Sequence, residues 1–202
     1  NRPRACGLWT ALLRWYRDQG VVLPEVRADD LEVMATRQDF LGLNYYSPHY
    51  YVSAPGVWPL GFRAVQVGHP VNDINWEIVP EALGNILRRV RQDYGDIEFQ
   101  ITENGSCQSD LVNRNGQIVD DGRVDYLYRH LLELKKAIDD GCRVTAYYAF
   151  SFLDNLEWAL GFTKRFGLVY VDFRTQERIV KESGRWYSRV VRDNGFPLAD
   201  GR

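Results

Sequence analysis

The chain has 202 residues, 45% of them hydrophobic, and a formal net charge of −2 at pH 7. This composition supports a sizeable core and lacks a basic stripe, which excludes disorder and nucleic-acid binding. No apolar run approaches the ~20 residues that cross a bilayer, and the N-terminus has no signal-peptide pattern, so we expect no membrane association. Three distant cysteines (Cys6, Cys107 and Cys142) and an excess of Arg over Lys favour a reducing, bacterial cytoplasm.

The hydrophobic periodicity predicts helices and strands that alternate along most of the chain. The predicted helices cover 8–19, 29–36, 80–95 and 124–141, and a final helix carries Trp186, Tyr187, Val190 and Val191 and ends at Gly195. The predicted strands cover 40–46, 99–102, 143–150, 168–172 and 178–180. The last two strands flank a turn and read as a hairpin. Such alternation indicates an α/β fold with a parallel sheet and right-handed crossovers. With no linker or repeat, we predict one domain over 1–202.

The segment 101–105, ITENG, places a carboxylate at the end of a predicted strand. Residues 96–102 have the apolar and β-favouring side chains of a buried strand, and Asn104-Gly105 predicts a turn directly after it. Glu103 therefore lies at the carboxyl end of a parallel strand, the edge at which catalytic groups collect in alternating α/β barrels. Taken alone, the same pattern also fits a solvated turn glutamate.

Three further segments decide between these readings. They are 39–46 (DFLGLNYY), 75–83 (NWEIVPEAL) and 150–173 (FSFLDNLEWALGFTKRFGLVYVDF). With ITENG they resemble, in order and spacing, the C-terminal part of glycoside hydrolase family 1, the retaining β-glucosidases and β-galactosidases. The likeness runs over about 23–195, whereas residues 1–22 form an atypical N-terminal helix. It implies a partial (β/α)₈ TIM barrel that contains roughly barrel strands six to eight.

The resemblance assigns catalytic roles to two residues. Glu103 matches the family's nucleophile, and Tyr46 matches the tyrosine that hydrogen-bonds it. Asn44, two residues earlier on the same predicted strand, points to the same side and matches a residue that contacts the sugar. The family's acid/base is the Glu of an Asn-Glu-Pro motif, which this sequence lacks. Glu25 and Glu81, both preceded by proline, fit a loop and a first helical turn rather than that role.

The resemblance also implies four substrate-binding residues near the last strand. Glu157 matches a bidentate acceptor for the sugar's outer hydroxyls, and Trp158 matches its aromatic neighbour. The capping of an acidic loop is the alternative for Glu157. Phe150 stands where family members usually carry a Trp platform, so we expect weaker or altered sugar binding there. Phe166 completes the predicted set.

These residues favour an exo-acting, retaining β-glycosidase whose acid/base lies outside this chain by motif. Its expected partners are a β-glucoside or β-galactoside substrate and either further copies of the chain or a complementing N-terminal barrel fragment. No metal or organic cofactor is implied. The alternatives are a sugar-binding remnant without turnover and a partial barrel that self-assembles through its open sheet edges.

Overall fold

A computed structural model describes residues 5–27, 29–57 and 60–198. The helices are α1 (Ala5–Asp18), α2 (Asp30–Met34), α3 (Pro80–Tyr94), α4 (Asp121–Asp139) and α5 (Glu182–Asp193). The strands are β1 (Leu41–Asn44), β2 (Tyr50–Ser53), β3 (Phe62–Val65), β4 (Glu98–Asn104), β5 (Arg143–Ala149), β6 (Val169–Val171) and β7 (Arg178–Val180). None of these helices combines the length and apolar character needed to span a bilayer. All predicted elements are present, with ends that differ by a few residues.

The central sheet contains three parallel strands in the order β1-β4-β5. Leu41 lies opposite Phe99 on one side of β4, and Ile101 lies opposite Tyr147 on the other. Because α3 precedes β4 and α4 connects β4 to β5, the unit repeats the strand–helix alternation that the sequence predicts. Among the described residues, the outer edges of β1 and β5 pair with no further strand, and the sheet does not close into a barrel.

The main core lies between the sheet and the helices α3 and α4. Its buried centre includes Leu83 and Leu87 of α3, Phe99 and Ile101 of β4, and Leu134 of α4. Leu83 and Leu87 are one helical turn apart, so both project from the face of α3 that covers the sheet. This packing fixes β4 rigidly and thereby fixes the residues at its carboxyl end.

A hairpin that the sequence did not predict follows β1. In it, β2 and β3 pair antiparallel, with Tyr50 opposite Val65. The chain after the hairpin wraps around the buried carboxylate of Glu77, which accepts hydrogen bonds from the backbone N–H groups of residues 67, 68 and 69 at 2.8, 2.9 and 3.2 Å. Although desolvation acts in the opposite direction, these three donors lower the pKa of Glu77.

One predicted strand end needs correction, and the predicted hairpin is confirmed. The first barrel strand ends at Asn44 rather than at residue 46, with a register shift between Leu43 and Asn44. Tyr46 therefore lies just beyond the strand, where the chain is free to turn its side chain toward β4. The predicted C-terminal hairpin is present, because β6 and β7 pair antiparallel with Val169 opposite Val180.

Candidate active site

Glu103 is the second-last residue of β4, and its side chain is partly buried. The backbone holds it against the neighbouring chain, since Tyr45 N–H donates to the Glu103 carbonyl at 2.9 Å. The phenol of Tyr46 then donates to Glu103 Oε2 at 2.5 Å. A hydrogen bond to an ionised acceptor is shorter and stronger than a neutral one, so this contact fixes the position of one carboxylate oxygen.

Tyr46 remains a hydrogen-bond donor because its surroundings oppose ionisation. Burial raises the pKa of its phenol well above the usual value, and the hydrogen bond and negative charge of Glu103 raise it further. The charge of Glu157 acts in the same direction. All three causes penalise a phenolate, so the O–H stays in place over the physiological pH range.

Aromatic rings surround Tyr46 on three sides. Its ring centroid lies 5.4 Å from Trp76, 5.8 Å from Phe150 and 6.0 Å from Phe166, and the last two pack edge to face at 5.6 Å. Such tilted and edge-to-face contacts are the favoured geometries of aromatic pairs. The predicted residues Phe150 and Phe166 therefore pack against Tyr46, the residue that hydrogen-bonds Glu103. The structure also adds Trp76 of the segment 75–83, which is not among the predicted site residues.

Asn44 lies beside the carboxylate on the adjacent strand. It is opposite Glu103 in the β1–β4 register, and its Oδ1 accepts a hydrogen bond from Thr102 Oγ1 at 2.7 Å. The Asn44 side chain is exposed. The register shift before Asn44 therefore presents its amide group at the open edge next to Glu103.

Asn104 is a structural residue of the site that sequence reasoning missed. The predicted turn at Asn104-Gly105 is wrong, because Asn104 is the last residue of β4 and is fully buried. Its Nδ2 donates to the Tyr45 carbonyl at 2.7 Å and to the Tyr126 hydroxyl at 3.0 Å, and its Oδ1 accepts from the Tyr147 hydroxyl at 2.6 Å. One amide thus joins α4, β5 and the residue directly after β1, one residue beyond the carboxylate.

The glycine that follows Asn104 permits β4 and β5 to converge. A Cβ atom at Gly105 would lie 1.8 Å from the Phe150 carbonyl oxygen, so no larger residue fits without moving the backbone. Phe150 N–H donates to the Asn104 carbonyl at 2.9 Å across the same approach. This contact brings Phe150 next to the carboxylate-bearing strand end.

Glu157 and Trp158 lie on the loop after β5, outside the aromatic cluster. The loop forms a 3-10 turn over Trp158–Leu160, which Glu157 precedes. Glu157 is partly buried, and its charge reaches the Tyr46 phenol. The Trp158 side chain is 91% exposed, so in this structure it presents its indole to solvent rather than to the other predicted residues.

The other two glutamates lie where the sequence suggested. Glu25 is exposed in the segment before α2, and Glu81 is exposed in the first turn of α3. Within the described ranges, no group of three or more His, Cys, Asp or Glu side chains is arranged to hold a metal ion.

A parallel sheet with a hydrogen-bonded carboxylate and aromatic rings at its carboxyl edge defines this chain as part of an α/β-barrel protein. The model of glycosyl hydrolase family 1 matches residues 3–196, and the chain belongs to that family. The match confirms the family inferred from the motifs. It begins ahead of residue 23 and so includes α1, which the motifs had left outside.

The relatives confirm that the chain is a partial barrel. Beta-glucosidase A of Thermotoga maritima is 46% identical over 174 residues, which make up 86% of this chain and 39% of the relative. The solved family 1 β-glucosidase from the same organism superposes with a TM-score of 0.86 at 43% identity, covering 93% of this chain and 41% of that structure. Its complex with glucoimidazole superposes with a TM-score of 0.81 at 45% identity, covering 86% and 39%. The chain thus spans about 40% of the length of these proteins, which are β-glucosidases and therefore hydrolases.

Proposed function

We propose that this chain carries the nucleophile of a retaining β-glycosidase that hydrolyses terminal β-linked sugars, with β-glucosides as the first substrate class to test. The observation that carries the proposal is the 2.5 Å hydrogen bond from the Tyr46 phenol to Glu103 Oε2. It orients one carboxylate oxygen and leaves the other available for reaction. The β-glucosidase activity of the relatives supports the choice of substrate.

In the proposed first step, the Glu103 carboxylate attacks the anomeric carbon and the bond to the leaving oxygen breaks. An acid elsewhere protonates that oxygen, which leaves a covalent glycosyl-enzyme. Water then attacks the same carbon and gives a proton to the residue that acted as the acid. The bond from that carbon to Glu103 breaks, its electron pair returns to the carboxylate, and the sugar is released with overall retention. The two carboxyl groups of such enzymes lie roughly 5–5.5 Å apart.

The remaining residues of the site bind the sugar in this proposal. Asn44 and Glu157 hydrogen-bond its hydroxyls, and Phe150 and Phe166 form an apolar wall behind it. Trp158 packs against the sugar beside Glu157.

We further propose that a complementing N-terminal barrel portion supplies the acid. The open side of β5 borders a groove of about 690 Å³ lined by apolar residues. Phe152 and Val191 in this groove are 73% and 63% exposed, which leaves apolar surface available for a partner. A parallel β-strand with its flanking helix would cover this surface and pair with the free edge of β5. Assembly with further copies of the chain is the alternative.

The test measures phenolate release from 2,4-dinitrophenyl β-glucoside, with Glu103→Gln as the matched control. This leaving group departs without protonation, so the first step requires the nucleophile but not the acid. We expect a burst of phenolate that is absent from Glu103→Gln. Equal release by the two proteins would rule out Glu103 as the nucleophile of this chain.

A second candidate function is sugar binding without turnover, favoured by the absence of an Asn-Glu-Pro motif from the sequence. Titration calorimetry with glucoimidazole distinguishes it. Binding without phenolate release supports this second function. A concentration-dependent oligomer in light scattering, with neither binding nor release, supports a self-assembling partial barrel.

A further inference from the structure

Beneath the candidate site lies a buried cluster of ionic side chains that the proposed reaction does not use. It contains equal numbers of acidic and basic groups, three of each, so their formal charges cancel. The members of this ion cluster are Asp110, Asp120, Arg123, Asp154, Arg165 and Lys181. Charges are costly to bury unless each finds partners, which here all six do.

Arg123 and the Gln108 N–H already link the segment after β4 to the loop after β5, because both donate to the Arg165 carbonyl, at 3.0 and 3.2 Å. Lys181 adds a bridge between the Asp110 and Asp154 carboxylates. Its Nζ donates to Asp110 Oδ2 at 2.5 Å and to Asp154 Oδ1 at 2.8 Å, and all three side chains are completely buried. Its backbone is fixed as well, because Lys181 N–H donates to the Leu168 carbonyl at 3.0 Å. The ammonium therefore occupies a fixed point between the two carboxylates.

The Asp154 side of this contact controls the loop after β5. Asp154 Oδ1 accepts from Gly167 N–H at 2.9 Å, while Oδ2 accepts from Arg165 at 2.5 Å and from Val171 N–H at 3.3 Å. The loop over 155–164 thus leaves Asp154 and returns to groups that hydrogen-bond the same carboxylate. Glu157 lies within that loop.

The Asp110 side controls the segment that follows the nucleophile. Arg123 donates to both oxygens of Asp110 at 3.1 and 3.2 Å and to the Ser106 carbonyl at 3.1 Å. Ser106 lies only three residues after Glu103. The segment over 104–110 is therefore held by the same cluster that holds the loop.

We propose that Lys181 is a positioning residue, which ties the segment after β4 to the loop after β5 and so sets Glu157 and Trp158 relative to Glu103. This inference rests on the proposed sugar site, because it assigns Lys181 a purpose in shaping that site. Buried ion pairs are weak sources of stability, since desolvation offsets much of their attraction. Their value here is that only one relative placement of the two segments satisfies all of the charges.

The first measurement is hydrogen exchange by mass spectrometry on Lys181→Met, which keeps the aliphatic stem and removes the charge. We expect amides in 104–110 and in 152–168 to exchange at least tenfold faster, together, while the amides of β4 and β5 stay protected. Arg88→Met is the control, because it removes the 2.7 Å ion pair with Asp140 and touches neither segment. Unchanged exchange, or acceleration in only one segment, would overturn the proposal.

The second measurement separates positioning from mere stability. At a temperature where all variants are fully folded, glucoimidazole should bind Lys181→Met at least tenfold more weakly than the unaltered chain, and Arg88→Met should bind normally. Equal affinity of all three would refute the positioning role. If the unaltered chain does not bind at all, the proposed sugar site fails, and the exchange data still decide whether Lys181 couples the two segments.

The unpaired carboxylates left by Lys181→Met are capable of preventing folding. In that case the double variant Lys181→Met/Asp110→Asn is used, because it removes one positive and one negative charge and keeps the cluster neutral. Both measurements and their deciding outcomes are the same for this variant.

Discussion

Protonation of His130 should destabilise the folded chain in mild acid. The imidazole is completely buried in α4, stacked on the Tyr126 ring at a centroid distance of 3.8 Å. Its Nδ1 donates to the Tyr126 carbonyl at 2.7 Å, and Nε2 has no hydrogen-bond partner among the described residues. Burial lowers the pKa of His130 from 6.5 to about 4, because a buried imidazolium is poorly solvated, although the hydrogen bond to the Tyr126 carbonyl acts in the opposite direction.

The sign and size of the effect follow from proton linkage. Because the pKa is lower in the folded state than in the unfolded chain, the unfolded chain takes up the proton first as the pH falls. The contribution of His130 is fully present above pH 6.5 and is lost as the pH falls toward 4. With these two pKa values, the free energy of unfolding drops by about 1 kcal/mol at pH 5.5 and by about 2–3 kcal/mol at pH 4.5.

Urea unfolding at pH 7.0, 5.5 and 4.5 tests this, with His130→Phe as the comparison. The phenyl ring preserves stacking on Tyr126 and does not titrate. Other groups titrate in both proteins, so the difference between their pH dependences isolates the imidazole. The unaltered chain should lose about 2–3 kcal/mol more than His130→Phe between pH 7.0 and 4.5. Parallel pH dependences of the two proteins would refute the reasoning, whatever their absolute stabilities.

Three further predictions concern the carboxyl edge of the sheet. Tyr46→Phe removes the donor to Glu103 and should slow phenolate release from the dinitrophenyl glucoside about 10- to 100-fold, the loss expected for a hydrogen bond to a charged group; an unchanged rate would show that this contact does not support the nucleophile. Asn104→Ala leaves the three hydrogen-bond partners of a buried amide unpaired and should lower the free energy of unfolding by about 2–3 kcal/mol in urea titrations. A loss below about 0.5 kcal/mol would show that these hydrogen bonds do not stabilise the fold. Gly105→Ala places a methyl group against the Phe150 carbonyl and should lower the free energy of unfolding by about 1–3 kcal/mol. An unchanged melting temperature would show that the backbone at the ends of β4 and β5 can move apart.

The sequence predicted the parts of the fold that depend on local patterns. The apolar spacing that predicts α3 places Leu83 and Leu87 on one face, and both are buried as expected. The run of β-favouring residues before Glu103 forms β4, so the strand-end position of this glutamate was predictable. These features require only near neighbours in the chain, which is why single-sequence reasoning recovers them.

The features that were missed depend on distant partners. The hairpin β2–β3 carries mainly exposed residues, so it lacks the alternation of a half-buried strand, and the chain after it is held by Glu77. Asn104 belongs to a residue type that favours turns, yet it is buried because groups 22 to 59 residues away satisfy its amide. The exposure of Trp158 likewise depends on how its loop sits, which the spacing of its motif does not specify.

The amide of Asn104 has a consequence for the choice of strand register. Parallel neighbours such as β1, β4 and β5 can shift by two residues and keep the same side chains on the same face of the sheet, so apolar contacts alone tolerate more than one alignment. A buried amide that must meet three particular groups penalises every alignment but one, as a single buried Asn does in coiled coils. Recombining this unit with other barrels should therefore succeed only when Asn104 is transferred together with its partners Tyr45, Tyr126 and Tyr147. Without them, a transplanted strand would lack the hydrogen bonds that set its register.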